Sequence, residues 1–159
     1  MSDYSFVTIW EISSAPENVW DELYHSENWP SWWRGVLSVD KLSSGDENGV
    51  GSVSRYTWQS RLPYKLTFDM RATKVEPLSV LAGVSSGDLD GNGIWHFSTR
   101  GPVTVARYEW NVQTTKWWMN LLAPIARPLF KWNHNVIMNW GAEGLSKRLN
   151  ANVVVARES

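Results

Sequence analysis

The stretch Trp117–Leu149, WWMNLLAPIARPLFKWNHNVIMNWGAEGLSKRL, decides the fold, because it reads as one long helix with polar side chains set into its apolar face. At about 100° per residue, Leu129, Phe130, Ile137, Trp140, Gly141, Gly144 and Leu145 share one broad stripe, and Lys131, Asn135, Asn139, Ser146 and Asn150 lie opposite. Asn133 and His134 fall inside the stripe. A buried amide or imidazole without a hydrogen-bond partner costs roughly 1–3 kcal/mol. Either the protein satisfies these two groups or they face a cavity. Pro124 and Pro128 predict that the regular helix begins near Pro128 and runs to Leu149, with a short separate turn before it.

Composition bounds the rest. A chain of 159 residues suggests one domain, spanning 1–159, able to bury roughly 68–70% of its unfolded surface. Lys plus Arg total 15 and Asp plus Glu 16, for a net charge of -1 with no run of like charges, which disfavours phosphate-tracking nucleic-acid binding. There is no Cys, hence no disulfide and no zinc ribbon. The N-terminal MSDYSFVTIWE has neither a basic region nor an apolar core of signal-peptide type, and no long apolar run follows, so a soluble, cytoplasmic protein is expected. The outlier is tryptophan, at 12 residues. Trp supplies a large apolar area and an N–H that wants a partner, which suits a wide hydrophobic cavity with a few polar handles or, equally, a bulky core.

Upstream, residues 4–12 alternate as a strand with Phe6, Thr8, Trp10 and Ile12 on one face. Ser14-Ala15-Pro16-Glu17 reads as a capping box opening a helix on Val19, Trp20 and Leu23, and Glu27–Trp33 as a second short helix. Turn signals at 43–51, 61–63, 76–77, 87–93 and 100–102 then divide the region from Val36 to Val112 into six strands. Their connections are too short for crossovers, so the strands are antiparallel. In the last of them Thr104, Ala106, Tyr108, Trp110 and Val112 face in.

This order predicts an α+β fold: a seven-stranded curved antiparallel sheet wrapped around the C-terminal helix, with two short helices after the first strand. At that point the chain resembles the START and birch-pollen-allergen-like helix-grip superfamily (SRPBCC), in particular its bacterial polyketide cyclase/dehydrase and lipid-transport branch. The carriers are Ser14–Trp20, Trp32-Trp33, Gly49-Val50-Gly51, Gly87-Asp88-Leu89-Asp90-Gly91, Trp95, and the Pro128–Leu145 helix with Asn133-His134. The resemblance covers nearly the whole chain and implies a deep cavity between sheet and helix. It is specific for fold and weak for reaction, since carriers and cyclases share the scaffold.

Other motifs lead nowhere. Gly83-Val84-Ser85-Ser86-Gly87 matches a nucleophile elbow in letters, but a strand follows where a helix is required. Asp88–Gly93 matches half a calcium loop, but Thr99 stands where its bidentate Glu belongs, so it reads as a hairpin turn. His25, His96 and His134 have no metal-ligand spacing, and no dinucleotide fingerprint is present; neither metal nor cofactor is implied. With Tyr108 and Trp110 inward, Arg107 and Glu109 face out, as Glu11 does beside Trp10, leaving no interior carboxylate pair.

The candidate ligand-binding residues are therefore Trp10, Tyr56, Trp58, Phe68, Trp95, Tyr108, Trp110, Asn133, His134 and Ile137, with the face of Tyr56 and Trp58 open because Val53, Arg55 and Thr57 make a competing alternation. His134 and Tyr108 are also the catalytic candidates, since an imidazole can move a proton near neutral pH and a Tyr hydroxyl can polarise a carbonyl. A structural His134, bonded to protein groups, is the competing reading; of the pair, Asn133 is expected to be held by the scaffold and His134 to lie nearer the ligand. Three functions stay open: a carrier or sensor of a hydrophobic lipid, aromatic or polyketide-like molecule; a cyclase/dehydrase-type enzyme; and a protein-interaction module of the co-chaperone kind. The segment from Lys116, with Trp117 and Trp118, could be a lid over the cavity mouth or a transient membrane contact.

Overall fold

The computed structural model describes residues 3–158, so Met1, Ser2 and Ser159 of the expected 1–159 unit lie outside the described residues. Strand β1 (Asp3–Ile12) is followed by α1 (Pro16–Tyr24) and a 3-10 helix (Ser26–Ser31). Six strands come next: β2 (Val36–Ser43), β3 (Val53–Trp58), β4 (Leu66–Glu76), β5 (Val80–Gly87), β6 (Leu89–Arg100) and β7 (Val103–Thr114). The chain ends with α2 (Trp117–Leu121), α3 (Ala123–Leu149) and β8 (Val153–Glu158). All strands pair antiparallel in one sheet of order β2-β3-β4-β5-β6-β7-β1-β8. The sheet grips α3, an α+β helix-grip architecture.

The sheet has eight strands, not seven. Val153-Val154-Val155 is β-branched and pairs with the free edge of β1, Trp10 opposite Val155. A run of six residues after a long helix has too little periodicity to announce itself. The 87–93 hairpin also shrinks to Asp88 alone, because residues 89–93 continue pairing with β7 while Asp88 Oδ2 accepts the Thr67 N–H at 2.9 Å.

Two helix starts differ from the sequence reading. α3 begins at Ala123 rather than near Pro128. Pro124 sits in the first turn, where a missing N–H costs nothing, and Pro128 forfeits only the bond to its i−4 carbonyl, so the helix runs through both. α1 is not closed by a capping box: Ala15 is its N-cap without a side-chain bond, and the Ser14 hydroxyl instead accepts from Asn18 Nδ2 at 3.1 Å.

α3 is seated by glycine. A Cβ at Gly144 would lie 1.8 Å from the Trp32 carbonyl oxygen, and one at Gly141 would lie 2.4 Å from the Trp33 ring. That close approach lets Trp33 Nε1 donate to the Ile137 carbonyl at 2.9 Å in the interior. On the other side Arg157 of β8 donates to Asn135 Oδ1 at 3.0 Å and to Asn139. Leu129, expected in the buried stripe, is instead 46% exposed, because the helix turns its Phe130, Asn133 and Ile137 side to the sheet.

Candidate functional site

The inner face of the sheet is aromatic by register. β7 presents Tyr108 and Trp110, β6 presents Trp95 opposite Tyr108, and the rings of that cross-strand pair stack at 4.4 Å. Phe68 on β4 packs against Trp110 at 5.7 Å and against Tyr56 on β3 at 5.8 Å. Tyr56 is thereby inward and buried, with its hydroxyl donating to Ser26 Oγ at 2.8 Å; Trp58, two residues on, meets Trp33 edge-on at 5.0 Å. This settles the alternation left open on β3.

Two adjacent cavities lie over this face. A chamber of ≈ 70 Å³ sits under α3, walled by Phe130, Asn133, His134, Ile137 and Met138 from the helix and by Leu66, Leu89 and Trp110 among others from the sheet. A vestibule of ≈ 490 Å³ lies under α1 and the 3-10 helix and reaches the β2–β3 connection. Trp29, Trp58, Phe68, Trp95 and Tyr108 line both, so an aromatic partition stands between them. The vestibule falls within the roughly 300–1,000 Å³ of small-molecule sites; the chamber holds a few waters or one end of a ligand.

Of the ten sequence candidates, Trp58, Phe68, Trp95, Tyr108, Trp110, Asn133, His134 and Ile137 line the chamber, and Tyr56 lines the vestibule. Trp10 lines neither. It is fully buried between Trp33 and Trp95, at 5.3 and 5.2 Å, and is a core residue behind the wall. The sequence reading missed Trp29, Trp33, Leu66, Leu89, Phe130 and Met138 as lining, and it missed the vestibule altogether. Gly83 and Gly93 face each other across β5 and β6 in its wall, and the Tyr108 hydroxyl and the Met70 methyl close over the places where their side chains would be. Two strand glycines are a visible signal only once register pairs them.

Three polar atoms of the chamber have no protein partner. Asn133 Oδ1 and His134 Nε2 are shielded from solvent and unbonded among the described residues, as is Trp58 Nε1. Asn133, expected to be held by the scaffold, leaves its Oδ1 as unbonded as His134 Nε2. The His134 ring stacks on Phe6 at 4.1 Å and 12°. Burial, with a smaller contribution from the Arg157 charge, pushes its pKa down to about 3, so the imidazole is neutral. Burial likewise raises the pKa of the Tyr108 hydroxyl, and its oxygen stands 2.7 Å from where a Cβ on Gly93 would be. The chamber has no Lys, Arg, Asp or Glu in its wall, whereas Glu27, Lys41, Asp46 and Glu47 line the vestibule; on the outer face Glu109 pairs with Arg107 and lies 3.6 Å from His96, and Glu11 lies 3.2 Å from Arg100. The cluster can hydrogen-bond a neutral ligand and is poorly matched to a charged one.

No protein-family model matches the chain, and no curated protein sequence matches it. Solved structures do. The Zhui aromatase/cyclase from Streptomyces sp. R1128 superposes with a TM-score of 0.73 at 13% identity, covering 94% of each chain. A protein of Thermus thermophilus gives 0.73 at 19% identity, over 92% of this chain and 97% of that one. A START superfamily protein from Mycobacterium smegmatis gives 0.71 at 14% identity, over 93% and 97%. At such identities the likeness establishes the fold alone, a helix-grip fold, and leaves the activity to the site.

Proposed function

We propose that the protein is a carrier or sensor that binds an uncharged hydrophobic small molecule, aromatic, lipid-like or polyketide-like, with its body in the vestibule and one hydroxyl-bearing end in the chamber. The observation that carries this reading is the pairing of a ≈ 490 Å³ space, aromatic at the partition and polar elsewhere, with an adjoining chamber whose Asn133 Oδ1 and His134 Nε2 lack protein partners. Asn133 Oδ1 accepts, so it calls for a donor on the ligand; the Tyr108 hydroxyl and Trp58 N–H donate, so they suit a carbonyl at the partition. A cytoplasmic setting agrees with a chain that carries no cysteine.

The enzyme reading draws support from the cyclase fold among the structural neighbours and from a cavity histidine. The chemistry weighs against it. An acid/base catalyst works best with a pKa near the operating pH, whereas His134 is pushed down to about 3 and Tyr108 is pushed up. Both act as neutral hydrogen-bonding groups.

Tryptophan-fluorescence titration with a neutral hydroxyaryl ketone tests the proposal. Saturable quenching is expected, with no turnover of a poly-β-ketone mimic. Unsaturable, linear quenching would refute binding, and cyclised product above the buffer rate would replace the carrier reading with the enzyme one.

A further inference from the structure

We infer that the outer face of α2 and the first half of α3 is a docking surface for an anionic lipid bilayer. The inference is independent of what the cavity binds. Trp117, Leu121 and Ile125 are 73%, 71% and 65% exposed, and Leu122, Leu129 and Trp132 continue the same outer side. In α3 the spacing of 125, 129 and 132 is i, i+4, i+7, so these side chains form one stripe, turned about 100° around the helix from the chamber wall made by Phe130, Asn133 and Ile137. α2 divides in the same way: Met119 is buried and Trp118 packs on Tyr64 at 5.2 Å, while Trp117 points out. Of the two tryptophans suggested for membrane contact, only Trp117 is placed to make it. Single exposed apolar residues need no explanation, but six large ones within residues 117–132 mark an interaction surface.

Charge identifies the occupant. From Lys116 to Ala142 the chain carries Lys116, Arg127 and Lys131 and no carboxylate. The β3–β4 connection, held beside α2 by the Tyr64–Trp118 contact, adds Arg61 and Lys65, again without a carboxylate. Asp88, 3.4 Å from Lys116, offsets one of these five cations in a chain whose net charge is -1. A second copy docked about a two-fold axis would set this patch against itself and bring like charges together. An anionic headgroup layer supplies the opposite sign, with the Trp and Leu side chains entering the acyl boundary and the basic side chains snorkelling to the phosphates. No helix among the described residues is long and apolar enough to cross a membrane, so the contact is peripheral.

The test is flotation of the full chain with vesicles of phosphatidylcholine alone or of phosphatidylcholine mixed with phosphatidylserine. Binding to the mixed vesicles is expected, falling with added salt and weak on phosphatidylcholine alone. The pair Trp117→Ser and Ile125→Ser should lower it by about tenfold or more, and Lys131→Gln by about fivefold. These side chains are exposed, so the melting curve should not move; should that double variant melt early, Leu121→Ser with Leu129→Ser makes the same measurement. Absence of flotation on the mixed vesicles, or flotation untouched by the apolar substitutions, overturns the inference. So does a dimer in sedimentation that the same substitutions dissociate, which would make a second copy the occupant.

Discussion

The chamber and the vestibule share five aromatic walls yet differ from ≈ 70 to ≈ 490 Å³, and the difference lies in what each strand leaves out. Over the chamber the facing positions are filled by Leu66, Leu89, Trp110, Phe130 and Met138, and the space left is polar at one side only, where Asn133 and His134 enter. Over the vestibule the sheet presents Ala72, Ala82, Gly83 and Gly93, and Leu23 and Tyr24 of α1 line the space without filling it. The chamber is a packed core with three orphaned polar groups; the vestibule is a space left between sheet and helices. Large side chains give specificity of contact, and small ones give room.

The comparison breaks most severely if the helix that roofs the chamber is displaced. Gly144→Ala would drive a methyl into the Trp32 carbonyl, and backbone cannot give way as a side-chain tip can, so a loss of about 3 kcal/mol is expected in denaturant melts. A variant as stable as the parent would mean that α3 is seated otherwise.

Protonation of the chamber comes next. The folded pKa of His134 lies below its unfolded value of 6.5, so the unfolded chain binds the extra proton and stability falls as pH drops through 6.5 toward about 3. Between about pH 7 and about pH 5 this should cost about 2 kcal/mol, and His134→Leu should remove that part of the slope. A His134 ring that titrates near 6.5 by NMR would contradict the burial argument.

Smaller effects separate the vestibule from the partition. Gly93→Ala places a methyl against the Tyr108 hydroxyl and within 2.9 Å of the Trp110 ring, and should weaken ligand binding about tenfold in fluorescence titration. Tyr108→Phe removes a hydroxyl that makes no hydrogen bond among the described residues, so melting should change by less than about 0.5 kcal/mol while binding of a ketone weakens about three- to tenfold. Equal losses in binding and in stability would assign that hydroxyl to the scaffold.

How far the sequence reaches follows the same division. Side chains that are present were legible: alternation put Tyr108, Trp110 and Trp95 on one face, and the Asn133-His134 pair stood out from its stripe. Six of the eight strands followed from turn signals between β2 and β7, and β1 from its own alternation. What depends on pairing was not legible. Gly83 opposite Gly93 is meaningless until β5 and β6 are in register, and Val153–Val155 is only a short apolar run until β1 offers an edge. Trp10 shows the limit from the other side, since a residue on the inward face can stand behind the wall as well as in it. Leu129 shows it for helices: a stripe drawn over the whole of Trp117–Leu149 averages two faces, and the first half of α3 turns an apolar side to solvent.

The central claim is that the chamber receives a hydroxyl-bearing end of the ligand through Asn133. The direct measurement is the affinity of the parent and of Asn133→Leu for a hydroxyaryl ketone and for the same ketone lacking that hydroxyl. The parent should prefer the hydroxylated compound by about tenfold and the variant should show no preference, because the orphaned acceptor has been replaced by a side chain of similar size. A parent that does not discriminate, or a variant that discriminates as the parent does, would contradict it.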